Sequence, residues 1–183
     1  SNDSMNRIEK TFRNNKKKVF IAYVVCGDPD LSTTIKIMNI LVDSGVDLIE
    51  LGVPFTDPIA DGPVIQKSIE RALKKNVNLN DVFDVCTKFR KKNKTTPLVL
   101  MGYLNPIENI GYKKFSKSAA QSGVDGVLVV DSPPEESSML SSVLQDNDIC
   151  NIHLASPTTN KSRLESIVKA SKGYLYYVSL KGI

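Results

Sequence analysis

Short apolar, β-rich runs recur along the chain, separated by stretches whose apolar residues follow a helical period. Strands are predicted at residues 19–25, 47–52, 98–103, 126–130, 151–155 and 174–179. Between them, Leu31, Ile35, Met38, Leu41 and Val42 form one apolar helical face. Val64, Ile65, Ile69, Ala72 and Leu73 form a second, and Val82, Phe83, Cys86 and Phe89 a third. Met139, Leu140, Val143 and Leu144, then Leu164, Ile167 and Val168, continue the pattern. Punctuation agrees with this reading. Ser132-Pro133 and Asn160 suit helix starts, and Asp61-Gly62-Pro63 opens another. Gly45, Gly123 and Gly173 stand between a helix and the next strand, where a left-handed residue belongs.

Alternating strands and helices predict an α/β fold with a parallel sheet, doubly wound or closed into a barrel. No Gly-x-Gly-x-x-Gly follows the first strand, which removes the main support for a dinucleotide fold. Six strands in 183 residues give about 30 residues per unit, and eight such units would need roughly 250 residues, the usual size of a TIM (β/α)8 barrel. The expectation is a single domain over 1–183 holding the first six βα units of such a barrel, with more chain in the natural protein. Ser1-Asn2, ahead of Met5, reads as a cloning remnant.

Composition narrows the class. Hydrophobic residues make up 41% and charged residues 24%, the proportions of a globular domain with a core. The longest apolar run, Val19–Cys26, is far short of a membrane span, and polar Ser1-Asn2-Asp3-Ser4 does not suit a secretion signal. Three widely spaced cysteines and one histidine argue against a zinc site or a disulfide framework, so no metal and a cytoplasmic location are expected. Cys26 and Cys150 read as small buried hydrophobes. Net charge is +4. The basic clusters Lys16-Lys17-Lys18 and Lys91-Lys92-Asn93-Lys94 suit helix ends better than nucleic acid, since no aromatic residues interleave with them.

In the second strand Ile49 and Leu51 share one face, while Leu48, Glu50 and Gly52 share the other, which in a barrel points inward. Glu50 then stands at the C-terminal end of a barrel strand, where active sites of this fold lie. Apolar walls disfavour the charged form of a carboxylate, which suits proton transfer near neutral pH; a glutamate satisfied by loop amides is the plainer alternative. In the following loop Asp61 is open to the reading of a helix cap, and Asp57-Pro58 to that of an ordinary turn.

The stretch Leu48-Ile49-Glu50-Leu51-Gly52-Val53-Pro54-Phe55-Thr56-Asp57-Pro58-Ile59-Ala60-Asp61-Gly62-Pro63-Val64-Ile65-Gln66 resembles the signature of the tryptophan synthase alpha chain family. Gly27-Asp28-Pro29, Met101-Gly102-Tyr103-Leu104-Asn105, Asp131-Ser132-Pro133-Pro134-Glu135-Glu136 and Gly173-Tyr174-Leu175-Tyr176 extend the likeness. The resemblance implies a TIM barrel that splits indole-3-glycerol phosphate into indole and glyceraldehyde 3-phosphate by a retro-aldol reaction. Glu50 would be its proton-transferring glutamate and Asp61 its second catalytic carboxylate. Tyr23, Met101, Leu128, Val130 and Leu154 would bind the ring, and Tyr103 and Tyr176 would bring hydroxyls. The resemblance also implies docking on a β chain, in an α2β2 assembly, through loops around Pro54, Asp57 and Asn105. No cofactor is expected in this chain; pyridoxal phosphate belongs to the β chain. Phosphate-binding turns would lie beyond Ile183. His153, on the face opposite Leu154, reads as structural or surface.

Overall fold

The computed structural model describes residues 5–14, 18–54, 63–132, 138–155 and 176–177, with backbone alone for 154, 155, 176 and 177. The chain alternates helix and strand: α1 (Arg7–Asn14), β1 (Ile21–Val25), α2 (Leu31–Asp43), β2 (Leu48–Gly52), α3 (Pro63–Lys74), α4 (Leu79–Arg90), β3 (Leu98–Gly102), α5 (Leu104–Ile110), α6 (Tyr112–Gln121), β4 (Gly126–Val129), α7 (Ser138–Asp146), β5 (Cys150–Ile152), β6 (Leu154–Ala155) and β7 (Tyr176–Tyr177). Strands β1 to β5 pair in sequence order, all parallel, and β6 pairs in parallel with β7. The predicted fifth strand is therefore two short pieces. Its first half pairs with β4, its second half with the predicted sixth strand, and His153 lies between them.

Local chemistry accounts for most of the boundaries. Asp30 caps α2, its Oδ1 accepting from the Thr33 N–H at 2.7 Å. Asn78 and Asp81 form a reciprocal capping box at the start of α4. Pro63 occupies the first position of α3, where its missing N–H costs nothing. Gly45 and Gly123 close α2 and α6 at φ +103 and +84, a conformation other residues adopt at a cost. Lys91 caps the end of α4, so that basic cluster is a helix end, as its sequence suggests. The starts and caps read at Ser132-Pro133, Asn160 and Gly173 involve residues outside those described. Three helices go beyond the predicted faces. In α1 only Ile8 is fully buried, α5 buries only Ile107, and α6, which meets it at Gly111, buries Phe115, Ser116 and Ala119, so none shows a long apolar stripe.

Both faces of the sheet are covered. Ile49, Leu51, Leu98, Leu100, Val127 and Val129 pack outward against the helices, with Met38, Phe89 and Phe115 among the partners. The inner face carries Leu48, Val99, Leu128, Cys150 and Ile152, closed by Ile8 of α1. Cys26, Cys86 and Cys150 are buried free thiols, and burial pushes the first two well above the usual thiol range.

At the N-terminal ends of the strands a buried ionic knot ties four segments together. Asp125, 3% exposed, accepts from the Leu98 N–H at 3.0 Å, from Arg90 at 2.8 Å and from Arg7 at 2.9 Å. Arg90 also donates to the carbonyls of Gly123 and Thr96. Asn6 donates to the carbonyls of Asp125 and Asp148, which seats α1 under the sheet. Replacing Arg90 by Met removes the more deeply buried of the two guanidinium partners of Asp125 and leaves the Gly123 and Thr96 carbonyls without their side-chain donor. Arg90→Met is therefore expected to cost about 3–5 kcal/mol, the scale of breaking a buried pair, read as a lowered urea midpoint with an unchanged slope.

Candidate functional site

Glu50 is the middle residue of β2, a strand buried along its whole length, and is itself 2% exposed. Parallel register sets Tyr23 and Val99 beside it. Paired residues of neighbouring strands project to the same face, so Tyr23, Glu50, Val99, Gly126 and Cys150 form one layer. Leu48 and Val99 belong to the inner apolar cluster, which fixes that layer as inward-facing. The next layer toward the C-terminal ends is Val25, Gly52, Met101, Leu128 and Ile152. Glu50 thus lies one step below the rim, inside apolar walls.

The ring-binding residues expected from sequence distribute around this position. Leu128 is fully buried in the inner cluster, with half-buried Met101 and Val130 packed against it. Tyr23 is 38% exposed and leans across the end of β2. A Cβ built on Gly52 would overlap the Tyr23 hydroxyl and lie 2.8 Å from its Cζ. Glycine at 52 therefore makes the space in which the Tyr23 ring rests, two residues from Glu50 on the same face. A glycine ending a strand two residues after an inward carboxylate is a sequence signal for such close approach, and Gly52 belongs with the site on that ground. Tyr103 is buried at the N-cap position of α5, bordering a small void lined also by Gly102, Pro106 and Ile107. Leu154 and Tyr176 occupy paired positions of β6 and β7, so register brings the two together. Asp57 and Asp61 lie outside the described residues.

His153 is 4% exposed, so it is structural and not a surface residue. Among the described residues its Nε2 has no hydrogen-bond partner, and burial lowers its pKa, which favours the neutral ring.

At the same end of the sheet a cleft of about 470 Å³ runs between the segment after β2, the start of α4 and α5. Pro54 and Asn105 both line it, with Asn78, Leu79 and Asn109. Two segments expected separately at a partner surface therefore share one concave site. Asn78 reaches it because the capping box fixes that turn, a contribution hidden in the sequence. Among the described residues no group of three or more His, Cys, Asp or Glu side chains could hold a metal ion. None of their helices is long and apolar enough to cross a membrane.

The family model for the tryptophan synthase alpha chain matches residues 10–183. The chain belongs to the tryptophan synthase alpha chain family. It is 52% identical to the alpha chain of Nitrosomonas europaea, over 98% of this chain and 66% of that one. It is 51% identical to the alpha chain of Neisseria gonorrhoeae, over 98% and 69%. The crystal structure of the alpha subunit from Legionella pneumophila superposes with a TM-score of 0.93 at 46% identity, covering 98% of this chain and 70% of that one. A structure of the α2β2 tryptophan synthase complex from Pyrococcus furiosus matches with a TM-score of 0.85 at 41% identity, over 90% and 66%. The chain spans about two thirds of the length of the relatives it matches. The TIM-barrel class expected from sequence is the fold of this family, and the described sheet is part of that barrel.

The contact between Tyr23 and Gly52 is directly testable. Gly52→Ala is expected to destabilise the family fold by about 1–3 kcal/mol, as overpacking does. Truncating the ring in Tyr23→Ala/Gly52→Ala should recover most of that loss, a coupling that a double-mutant cycle of denaturation midpoints reads out.

Proposed function

We propose that this chain is the indole-glycerol-phosphate-cleaving subunit of a tryptophan synthase, a lyase of tryptophan biosynthesis that works in the cytoplasm. The observation that carries the reading is Glu50, a buried carboxyl one layer below the rim of the barrel, in the strand that opens the family signature.

Cleavage breaks the bond between indole C3 and the carbinol carbon of the side chain. C3 gains a proton, the carbinol hydroxyl loses one, the electron pair of the O–H bond becomes the aldehyde π-bond of glyceraldehyde 3-phosphate, and the pair of the broken C–C bond returns to the ring to restore neutral indole. Glu50 serves both proton transfers, since one carboxyl beside the scissile bond can give a proton to carbon and take one from oxygen. Protonation at C3 leaves positive charge over the ring nitrogen. Asp61 faces the ring N–H as an ionised carboxylate and stabilises that charge as it develops. Tyr23, Met101, Leu128, Val130 and Leu154 hold the ring against the apolar wall, and Tyr103 and Tyr176 add hydroxyls at its margin. The reaction needs no metal or cofactor in this chain. A β chain carrying pyridoxal phosphate docks over Pro54, Asp57 and Asn105 in an α2β2 assembly. The shared cleft of Pro54 and Asn105 supports that docking site.

In the full-length protein, Glu50→Gln should abolish indole release while leaving substrate affinity near normal. Retention of more than a few per cent of wild-type turnover rejects the assignment. Asp61→Asn should lower turnover by about two orders of magnitude, the scale of losing a positioned electrostatic group, without unfolding the chain, because Asn caps a helix as well as Asp. Unchanged activity per folded molecule would make Asp61 a cap alone. Asp57→Ala should weaken activation by saturating β chain more than it weakens the isolated reaction, a coupling of about 1–3 kcal/mol. Equal fold-activation in both proteins would remove Asp57 from the communication path.

A further inference from the structure

The turn after β1 and the helix after the catalytic loop are joined by an ion pair that the proposed chemistry does not use. Arg71 of α3 reaches Asp28 through two parallel hydrogen bonds, Nε to Oδ1 at 2.6 Å and Nη2 to Oδ2 at 2.9 Å. The same Nη2 also donates to the Ser68 hydroxyl at 3.2 Å. The guanidinium holds the Asp28 carboxyl below the usual carboxylate range, so the pair is intact at neutral pH. The geometry is bidentate, and such pairs fix orientation as well as distance.

Asp28 is itself immobilised. Its neighbour Gly27 donates a backbone N–H to Thr34 Oγ1 at 2.9 Å, and buried Thr34 donates in turn to the Asp30 carbonyl at 2.8 Å. Gly27 abuts Val77 so closely that a Cβ would lie 2.5 Å from a Val77 methyl. Val25, Ile69, Ala72 and Val77 form a separate apolar cluster between β1 and α3. That cluster holds α3 against the barrel by close packing around its second half. The bidentate pair adds a directional contact, fixing the angle and register of α3 against the turn after β1. Arg71 is half exposed, and exposed pairs add little stability, so a geometric role accounts for the pair better than a stabilising one.

We infer that Asp28 and Arg71 are positioning residues for the reaction, clamping α3 to the turn after β1 and so fixing where α3 begins, at Pro63. This rests on the reading of Glu50 and Asp61 given above. Asp61 precedes Pro63, the first residue of α3, by two positions, so α3 is the downstream anchor of the segment that carries it. A displacement of about 1 Å in a group that meets a developing charge can cost up to about a hundredfold in rate.

The experiment compares Arg71→Ala, Arg71→Lys and the reversed pair Asp28→Arg/Arg71→Asp in the full-length protein. Indole release at saturating and limiting substrate is measured together with amide hydrogen exchange along α3. The expected result for Arg71→Ala is a kcat lower by about ten- to a hundredfold, a KM within about twofold, faster exchange in α3, and a melting temperature close to wild type. Arg71→Lys keeps the charge but not the fork and should fall between. The reversed pair should regain most of the lost kcat and the slow exchange. Unchanged kcat in Arg71→Ala overturns the clamp, as does a loss of kcat that the reversed pair does not repair while α3 exchange stays at the wild-type rate. A wild-type protein that releases no indole, yet whose α3 exchange responds to these variants, overturns the functional reading and the catalytic consequence together, separating that failure from a failure of the clamp.

Discussion

Parallel strand register is the constraint on which the rest of the structure depends. Helices cover one face of the sheet and α1 closes the floor of the other, so every strand residue faces either the helix layer or the barrel interior. A slip of one residue would exchange the two sets and send Glu50 in among Phe89, Leu100 and Phe115. The cost of burying a carboxyl there, without polar partners, makes the register of β2 the best-determined feature of the fold. Gly126 matters for the same reason. It stands in the layer of Glu50, and a Cβ there would come within 2.8 Å of Ile8 and 2.9 Å of Ile152. Those two side chains fill the interior across the glycine, Ile8 from α1 and Ile152 from the next layer toward the C-terminal ends.

Period-two alternation in short apolar runs was enough to read the strands and the facing of Glu50, because strands buried on both faces are dense in Val, Ile and Leu. The helix start at Pro63 was legible too, whereas the caps at Asp30 and Asn78 show only in the structure. What escaped was set by contacts distant in sequence. α1 presents a mostly polar octapeptide, and nothing local shows that Ile8 plugs a barrel or that Asn6 reaches Asp125 and Asp148. Arg90 reads as a basic residue in the last turn of a helix, where solvent is the ordinary environment. It is buried beside Asp125, 35 positions on, to whose carboxylate it supplies a counter-charge at the oxygen that also accepts the Leu98 N–H. The shared inward face of Met101 and Leu128 was legible by parity, whereas the meeting of Tyr23 with Gly52 depends on a side-chain tilt that parity does not specify.

The distribution of polar groups separates two ends of the sheet. At the N-terminal ends Asp125, Arg90, Arg7 and Asn6 are tied to one another and to backbone groups, so that end is rigid and its charges are matched. At the C-terminal ends the inner wall carries Gly52, Met101 and Leu128, an apolar surface, while Val25 is covered by Ile69, Ala72 and Val77.

The cleft lined by Pro54 and Asn105 continues that logic outward. Val53, which borders it, donates its N–H to the Met101 carbonyl at 2.9 Å, and Pro54 is only four residues from Glu50 in the chain. Gly102 lies so close to Val53 that a Cβ would meet its Cβ at 3.2 Å. The end of β2 and the end of β3 therefore approach closely at Val53 and Gly102, beside the small void that Tyr103 borders. Val53 belongs both to the lining of the cleft and to that of the void, and it follows directly on the strand that carries Glu50. The cleft and the inward carboxyl are thus joined by one short, hydrogen-bonded stretch of backbone and not by a flexible connection.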